Sequence, residues 1–172
     1  IGGIVGWPGA ENKNVVNVTE GCINRGNVIV KGNGKARIGG IQGGSGHIVN
    51  CENYGEVKLE GGTACALGGL AGFHSQNHKI ENSTASCKVT ANVDLSGIGG
   101  IIGNNGNAAN STGVGCVVNC VITGGDATKA GMIVGLWNGN SQAVTLGTTD
   151  SPIQVSGTLN GEPASASNLC GT

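Results

Sequence analysis

Seven cysteines, three histidines, ten acidic residues and four aromatic rings carry most of the chemistry available to this 172-residue chain. An odd number of cysteines leaves at least one thiol unpaired or bonded outside the chain. A zinc site needs three or four converging ligands, and no CxxC occurs. The nearest approach is His74 and His78 in the segment HSQNH, with His47 upstream. The polar sequence around them offers no helix to bring an i, i+4 pair onto one face, so neither a metal nor any other cofactor is expected. Glycoside hydrolysis requires two carboxyl groups about 5 to 9.5 Å apart, and here the acids are dispersed along the chain. No spacing justifies a Ser/His/Asp constellation either. The expectation is a chain without catalytic residues.

The elements that position these side chains follow from an unusual composition. With 35 glycines, the chain would lose about 1 kcal/mol at each helix-interior glycine, which argues against helices. A hydrophobic fraction of 38% with a net charge of −1 argues against a solvated coil. Nine basic residues scattered among ten acidic ones form no stripe for phosphate, so nucleic acid is not an expected partner. No apolar run reaches the roughly 20 residues of a membrane-spanning helix.

Five copies of one motif explain the glycines. IGGIVG begins at Ile1, IGGIQG at Ile38, LGGLAG at Leu67, IGGIIG at Ile98 and AGMIVG at Ala130. A companion block follows the first two: EGCINRGNVIV from Glu20 and VNCENYGEVKL from Val49. ENSTASCKVTA from Glu81 takes the same register, the fourth copy is set with Cys116 on Cys51, and TLGTTDSPIQV from Thr145 supplies the fifth. The apolar columns that result are Ile4, Ile41, Leu70, Ile101 and Ile133; then Val28, Val57, Val89, Ile122 and Ile153. A third contains Val30, Leu59, Ala91, Gly124 and Val155.

Alternation with period two indicates strands, and units of about 30 residues with matching apolar columns must stack to bury them. The predicted fold is therefore all-β: a parallel β-solenoid of about five rungs, with roughly three short strands per rung. It forms a single module over residues 1–172, with repeats at about 1–37, 38–66, 67–97, 98–129 and 130–155 and a C-terminal cap over 156–172. The paired glycines are expected at corners, for a left-handed backbone or for close contact between rungs. Because Ile1 already lies in the motif, the polypeptide is expected to continue upstream, or another domain to cover that edge.

This register brings specific side chains together. Cys22 falls over Cys51, and Cys87 over Cys120, at a rung spacing of about 4.8 Å. That distance permits a disulfide without requiring one; the alternative, favoured here, is an inward ladder of reduced thiols. Lys31 falls over Glu60 and Glu56 over Lys88, as exposed pairs. Asn50 and Asn82 form a candidate internal amide ladder. Trp7 and Phe73 directly follow their GGIxG motifs and Trp137 lies one residue later, a candidate aromatic row for sugar rings. The plainer reading of these rings is that they seal corners beside glycine.

Five motif copies with their companion block, from Ile1 to about Val155, resemble the GLUG-motif repeats of bacterial cell-surface proteins. The resemblance implies an extracellular, bacterial cell-surface or fimbria-associated protein with a non-catalytic structural or adhesion role. Partners would be a glycan or a host surface or matrix protein, and the module would belong to a longer chain or assembly. A carbohydrate-active β-helix enzyme, or an accessory domain of a surface protease, is the alternative.

Overall fold

The alternation of apolar and polar residues becomes a series of very short strands whose inward side chains stack from turn to turn. The computed structural model describes residues 1–7, 17–44, 46–75, 77–93, 95–106, 112–126, 128–137 and 145–171. It is a parallel β-solenoid of about four turns. Five motif copies delimit four complete intervals, which is why the turn count falls one below the expected five rungs.

Each turn visits five strand positions rather than three. The first carries Val18–Glu20, His47–Val49, Lys79–Glu81, Thr112–Val114 and Thr145–Leu146 in spatial order. Ile23–Asn24, Glu52–Asn53 and Thr84–Ala85 stack at the second position, and Val28–Val30, Val57–Leu59 and Lys88–Ala91 at the third. These two positions merge in the later turns into the single strands Val117–Thr123 and Gln154–Leu159. Arg37–Gly39, Cys65–Gly68, Leu95–Gly99 and Ala130–Gly131 form the fourth, and Ala71–His74, Ile102–Asn105 and Val134–Trp137 the fifth.

The GGIxG motif is the corner between the fourth and fifth positions. Its isoleucine or leucine points inward: Ile41, Leu70, Ile101 and Ile133 are 0 to 4% exposed. Each such side chain contributes about 1.5 to 3 kcal/mol through burial. Ile4, in the same column, is 43% exposed because no described turn lies outside it. The motif glycines do not require a left-handed backbone, since their φ angles lie outside that region. They are small because a neighbouring turn passes too close: a Cβ on Gly40 would overlap both the Asn53 side chain and the Gly69 carbonyl.

The Cys-x-Asn-x-Gly block also has a physical reading. Cys51 points inward with its sulfur 3.3 Å from the carbonyl oxygens of Thr19 and Val49. Asn53 Oδ1 accepts from the Gly55 N–H at 3.2 Å, closing a tight local turn, as Asn24 does for Gly26 at 3.1 Å. Gly55 leaves room for the Gly26 carbonyl. The internal amide ladder is thus Asn24 on Asn53, with Nδ2 donating to Oδ1 at 2.8 Å. Asn50 and Asn82 are instead exposed bend residues with φ of 52° and 49°, because the chain turns a corner between the first and second strand positions there and asparagine tolerates a left-handed backbone.

Register follows the sequence reading through four copies. Val28, Val57, Val89 and Ile122 align, and the pairings Thr84 with Val117 and Glu81 with Val114 bring Cys116 to Ser83 and Cys51. The fifth copy departs. Leu159, not Ile153, meets Ile122, and Val155 meets Val118. A turn closed between Thr148 and Ser151 loops out of the stack, so the strand restarts at Gln154.

After Leu159 the chain makes a hairpin with Glu162–Pro163 and a short helix at Ala166–Asn168. It then crosses the last motif, where Met132 and Ile133 donate to the carbonyls of Asn168 and Leu169 at 2.8 Å. Those backbone groups would otherwise form an open edge. Among the described residues, no helix is long and apolar enough to cross a membrane.

Candidate functional site

Two of the three predicted contact rings meet in one surface groove. Val5 pairs with Gln42 and Gln42 with Ala71, so two residues further on Trp7, Gly44 and Phe73 share a column; Asn104 follows in the next turn. The Trp7 ring packs against Gly44, where a Cβ would overlap it, at the rim of this groove. Arg37, from the neighbouring strand position, reaches into it. Its guanidinium carbon lies 3.7 Å from the centre of the Phe73 ring and 5.3 Å from that of Trp7.

The groove encloses about 760 Å³ and is also lined by Lys35, Ser96 and Asn104. Trp7 is 52% exposed at its rim. Asn104 is 9% exposed; its Nδ2 donates to the Ser96 carbonyl at 3.4 Å, while its Oδ1 meets no donor. Among the described residues, no carboxylate, imidazole or thiol lines the groove. Trp137 pairs with Asn105 rather than with Asn104, and lies in a separate cleft with Leu146 and Cys170. The aromatic row therefore reduces to Trp7 and Phe73, with Arg37 between them. Sequence reasoning missed Arg37 because it comes from another column; the available signal was a long side chain in line with Ala66 and Gly97.

Five of the seven cysteines are buried, and Cys22 and Cys170 are half-buried. All seven are free thiols. Cys22 falls beside Cys51, between the paired residues Glu20 with Val49 and Ile23 with Glu52. The Cys87 and Cys120 sulfurs are 3.6 Å apart in a buried contact. That contact and burial together push the Cys87 thiol up, and burial pushes Cys116 up to about 11. Such thiols are poor nucleophiles. Titration of denatured, unreduced protein with a thiol reagent is expected to count seven free thiols, whereas three or fewer would contradict the reduced ladder.

All three histidines converge beside the fifth strand position. The His78 ring centre lies 6.0 Å from that of His47 and 5.9 Å from that of His74. His78 Nδ1 is engaged with the Ser75 hydroxyl and carbonyl, and neither His74 nitrogen has a hydrogen-bond partner. Among the described residues, no group of three or more His, Cys, Asp or Glu side chains could hold a metal ion. Burial, reinforced by His78, holds His74 down to about 3. The unfolded chain binds this proton near pH 6.5, so the stabilising effect of a neutral His74 is complete above that pH and is lost as pH falls towards 3. Unfolding by urea is expected to show a loss of about 2 kcal/mol between pH 7.5 and pH 5. A His74→Gln variant should lose most of that dependence; an unchanged pH profile would contradict the assignment.

Charged pairs lie outside the groove. Lys31 and Lys58 reach Glu60 at 3.0 and 2.8 Å, and Lys79 reaches Glu81 at 3.6 Å. Glu56 and Lys88 are neighbours in register but make no ion pair. No protein-family model, curated protein or solved structure matches the chain.

Proposed function

We propose that this solenoid is a non-catalytic structural and adhesion module of an extracellular, surface- or fimbria-associated bacterial protein, recognising a glycan through the Trp7–Arg37–Phe73 groove. The observation that carries this reading is the groove itself. Two rings and a guanidinium are gathered from three successive turns into a concavity lined by amide, hydroxyl and ammonium groups, with no carboxylate, imidazole or thiol among the described lining residues to activate the hydroxyl or act as acid or base beside it. Parallel hydrogen bonding along the axis supports the mechanical part, because each turn is tied to the next at several strand positions. The GLUG-like motif copies support the bacterial surface setting.

A glycan array probed with the intact chain tests the binding role, and an assay for new reducing ends tests turnover. Binding without cleavage is expected, with affinity reduced at least about tenfold by Trp7→Ala. Cleavage of a bound saccharide would favour the carbohydrate-active alternative and contradict the non-catalytic reading.

A further inference from the structure

The groove differs from a neutral sugar platform in one respect: the space between its rings is filled by a cation. Arg37 lies over Phe73 at 3.7 Å, so that ring face is covered, and the group presented between Phe73 and Trp7 is a guanidinium. A guanidinium over an aromatic ring keeps its in-plane N–H donors for other partners.

Among the described residues, those donors meet no acceptor. Lys31, Lys58 and Lys79 each meet a carboxylate, whereas Arg37 and Lys35 make no ion pair or side-chain hydrogen bond. Among the described residues, two cationic side chains and no acidic one therefore line the groove. The partner that complements them carries negative charge, and a guanidinium matches a carboxylate with two parallel hydrogen bonds.

Its remaining features favour a saccharide over an acidic peptide. Arg37, Ala66, Phe73 and Asn104 belong to strands whose backbone groups are paired with adjacent turns, leaving no main-chain ladder for an extended peptide. What is left is side-chain chemistry: the exposed Trp7 ring, the Ser96 hydroxyl and the Asn104 amide, whose Oδ1 lacks a donor. Sugar hydroxyls supply donors, and a pyranose ring supplies the apolar edge that packs on indole.

We infer that the groove takes a carboxylated saccharide, a pyranose whose carboxylate pairs with Arg37 and Lys35 while its ring lies against Trp7. This inference rests on the proposed glycan-binding role and specifies its ligand class.

The test is calorimetric titration of the intact chain with four probes: a hyaluronan hexasaccharide, its carboxyl-reduced form, sialyllactose and lactose. The first and third distinguish a uronic from a sialic acid as the source of the carboxylate. Binding to at least one acidic probe, at least about tenfold tighter than to its neutral counterpart and falling by a similar factor in Arg37→Gln, is expected. Lys35→Gln, at an exposed position, should weaken binding without altering the melting temperature. Equal binding of neutral and acidic probes would overturn the carboxylate assignment and leave the glycan-binding role intact. Cleavage of an acidic probe would uphold the ligand class and overturn the non-catalytic reading. Failure of all four probes and of the array would overturn both.

Discussion

Replacing Gly68 with alanine is expected to destabilise the protein by about 4 kcal/mol or more. The added Cβ would overlap the Ala71 carbonyl oxygen of its own corner and stand 2.7 Å from the Ile101 oxygen of the next turn. Neither atom is free to move. Ile101 O accepts from the Leu70 and Ala71 N–H groups at 3.1 and 2.8 Å, so relieving the clash means breaking hydrogen bonds between turns. The same corner recurs at Gly39, Gly99 and Gly131, where a Cβ would also overlap the carbonyl oxygen of the residue three positions on, Gln42, Ile102 and Val134. Gly34→Ala is the control, because its Cβ would meet nothing within 4 Å. There the change should stay within about 0.5 kcal/mol. Urea midpoints of the two variants measure the difference, and a Gly68→Ala protein as stable as the parent would show that the turns do not pack this closely.

Asn53→Asp should have an effect of similar size for an electrostatic reason. Asn53 is fully buried, and its Nδ2 donates to the carbonyls of Gly69 and Gly55 at 2.9 and 3.1 Å. Aspartate places an acceptor against those two acceptors and buries a charge with no cation paired to it, although its other oxygen keeps the Asn24 and Gly55 donors. A cost of about 3 kcal/mol or more at neutral pH is expected. Protonation restores one donor, so the variant should regain part of its stability relative to the parent as pH falls from 7 towards 4. Asn53→Ala leaves Gly69 O and the Asn24 amide unpaired and should cost about 2 kcal/mol, with no such recovery. Parallel urea titrations of both variants at pH 7 and pH 4.5 separate these outcomes. An Asp variant that gains nothing on acidification would contradict the buried amide ladder.

The solenoid was legible because its packing is written as columns. Through four copies the inward residues recur at the same motif position, and the first glycine of GGIxG marks a corner crowded by carbonyl oxygens, so Ile41, Leu70, Ile101 and Ile133 aligned without structural help. The fifth copy misled because Ile153-Gln154-Val155 has the period-two alternation of a strand, while the turn at Thr148 to Ser151 takes it out of register. Local alternation does not reveal an insertion whose ends return to the stack. Strand number per turn was hidden for a related reason: two-residue strands such as Ile23–Asn24 are too short for periodicity to separate them from the bends beside them.

The site was half legible. Trp7 and Phe73 were found from their position after the motif, which fixes their column. Trp137, one residue further on, belongs to the column of Asn105, a shift that alternation along the strand converts into a different environment. Arg37 was invisible as a partner because the contact depends on a side chain crossing from one strand position to the rings of another. A repeat alignment ranks residues within columns, whereas this stack forms between them.

The most direct measurement of the central claim is a chemical-shift map of the isotopically labelled chain with a bound saccharide from the array. The largest shifts are expected on the Trp7 indole, the Arg37 guanidinium and the Phe73 ring, with Ser96 and Asn104 next. Shifts confined to the opposite strand positions, such as Thr19, Ile48 and Ile80, or to the Trp137 cleft, would contradict that claim.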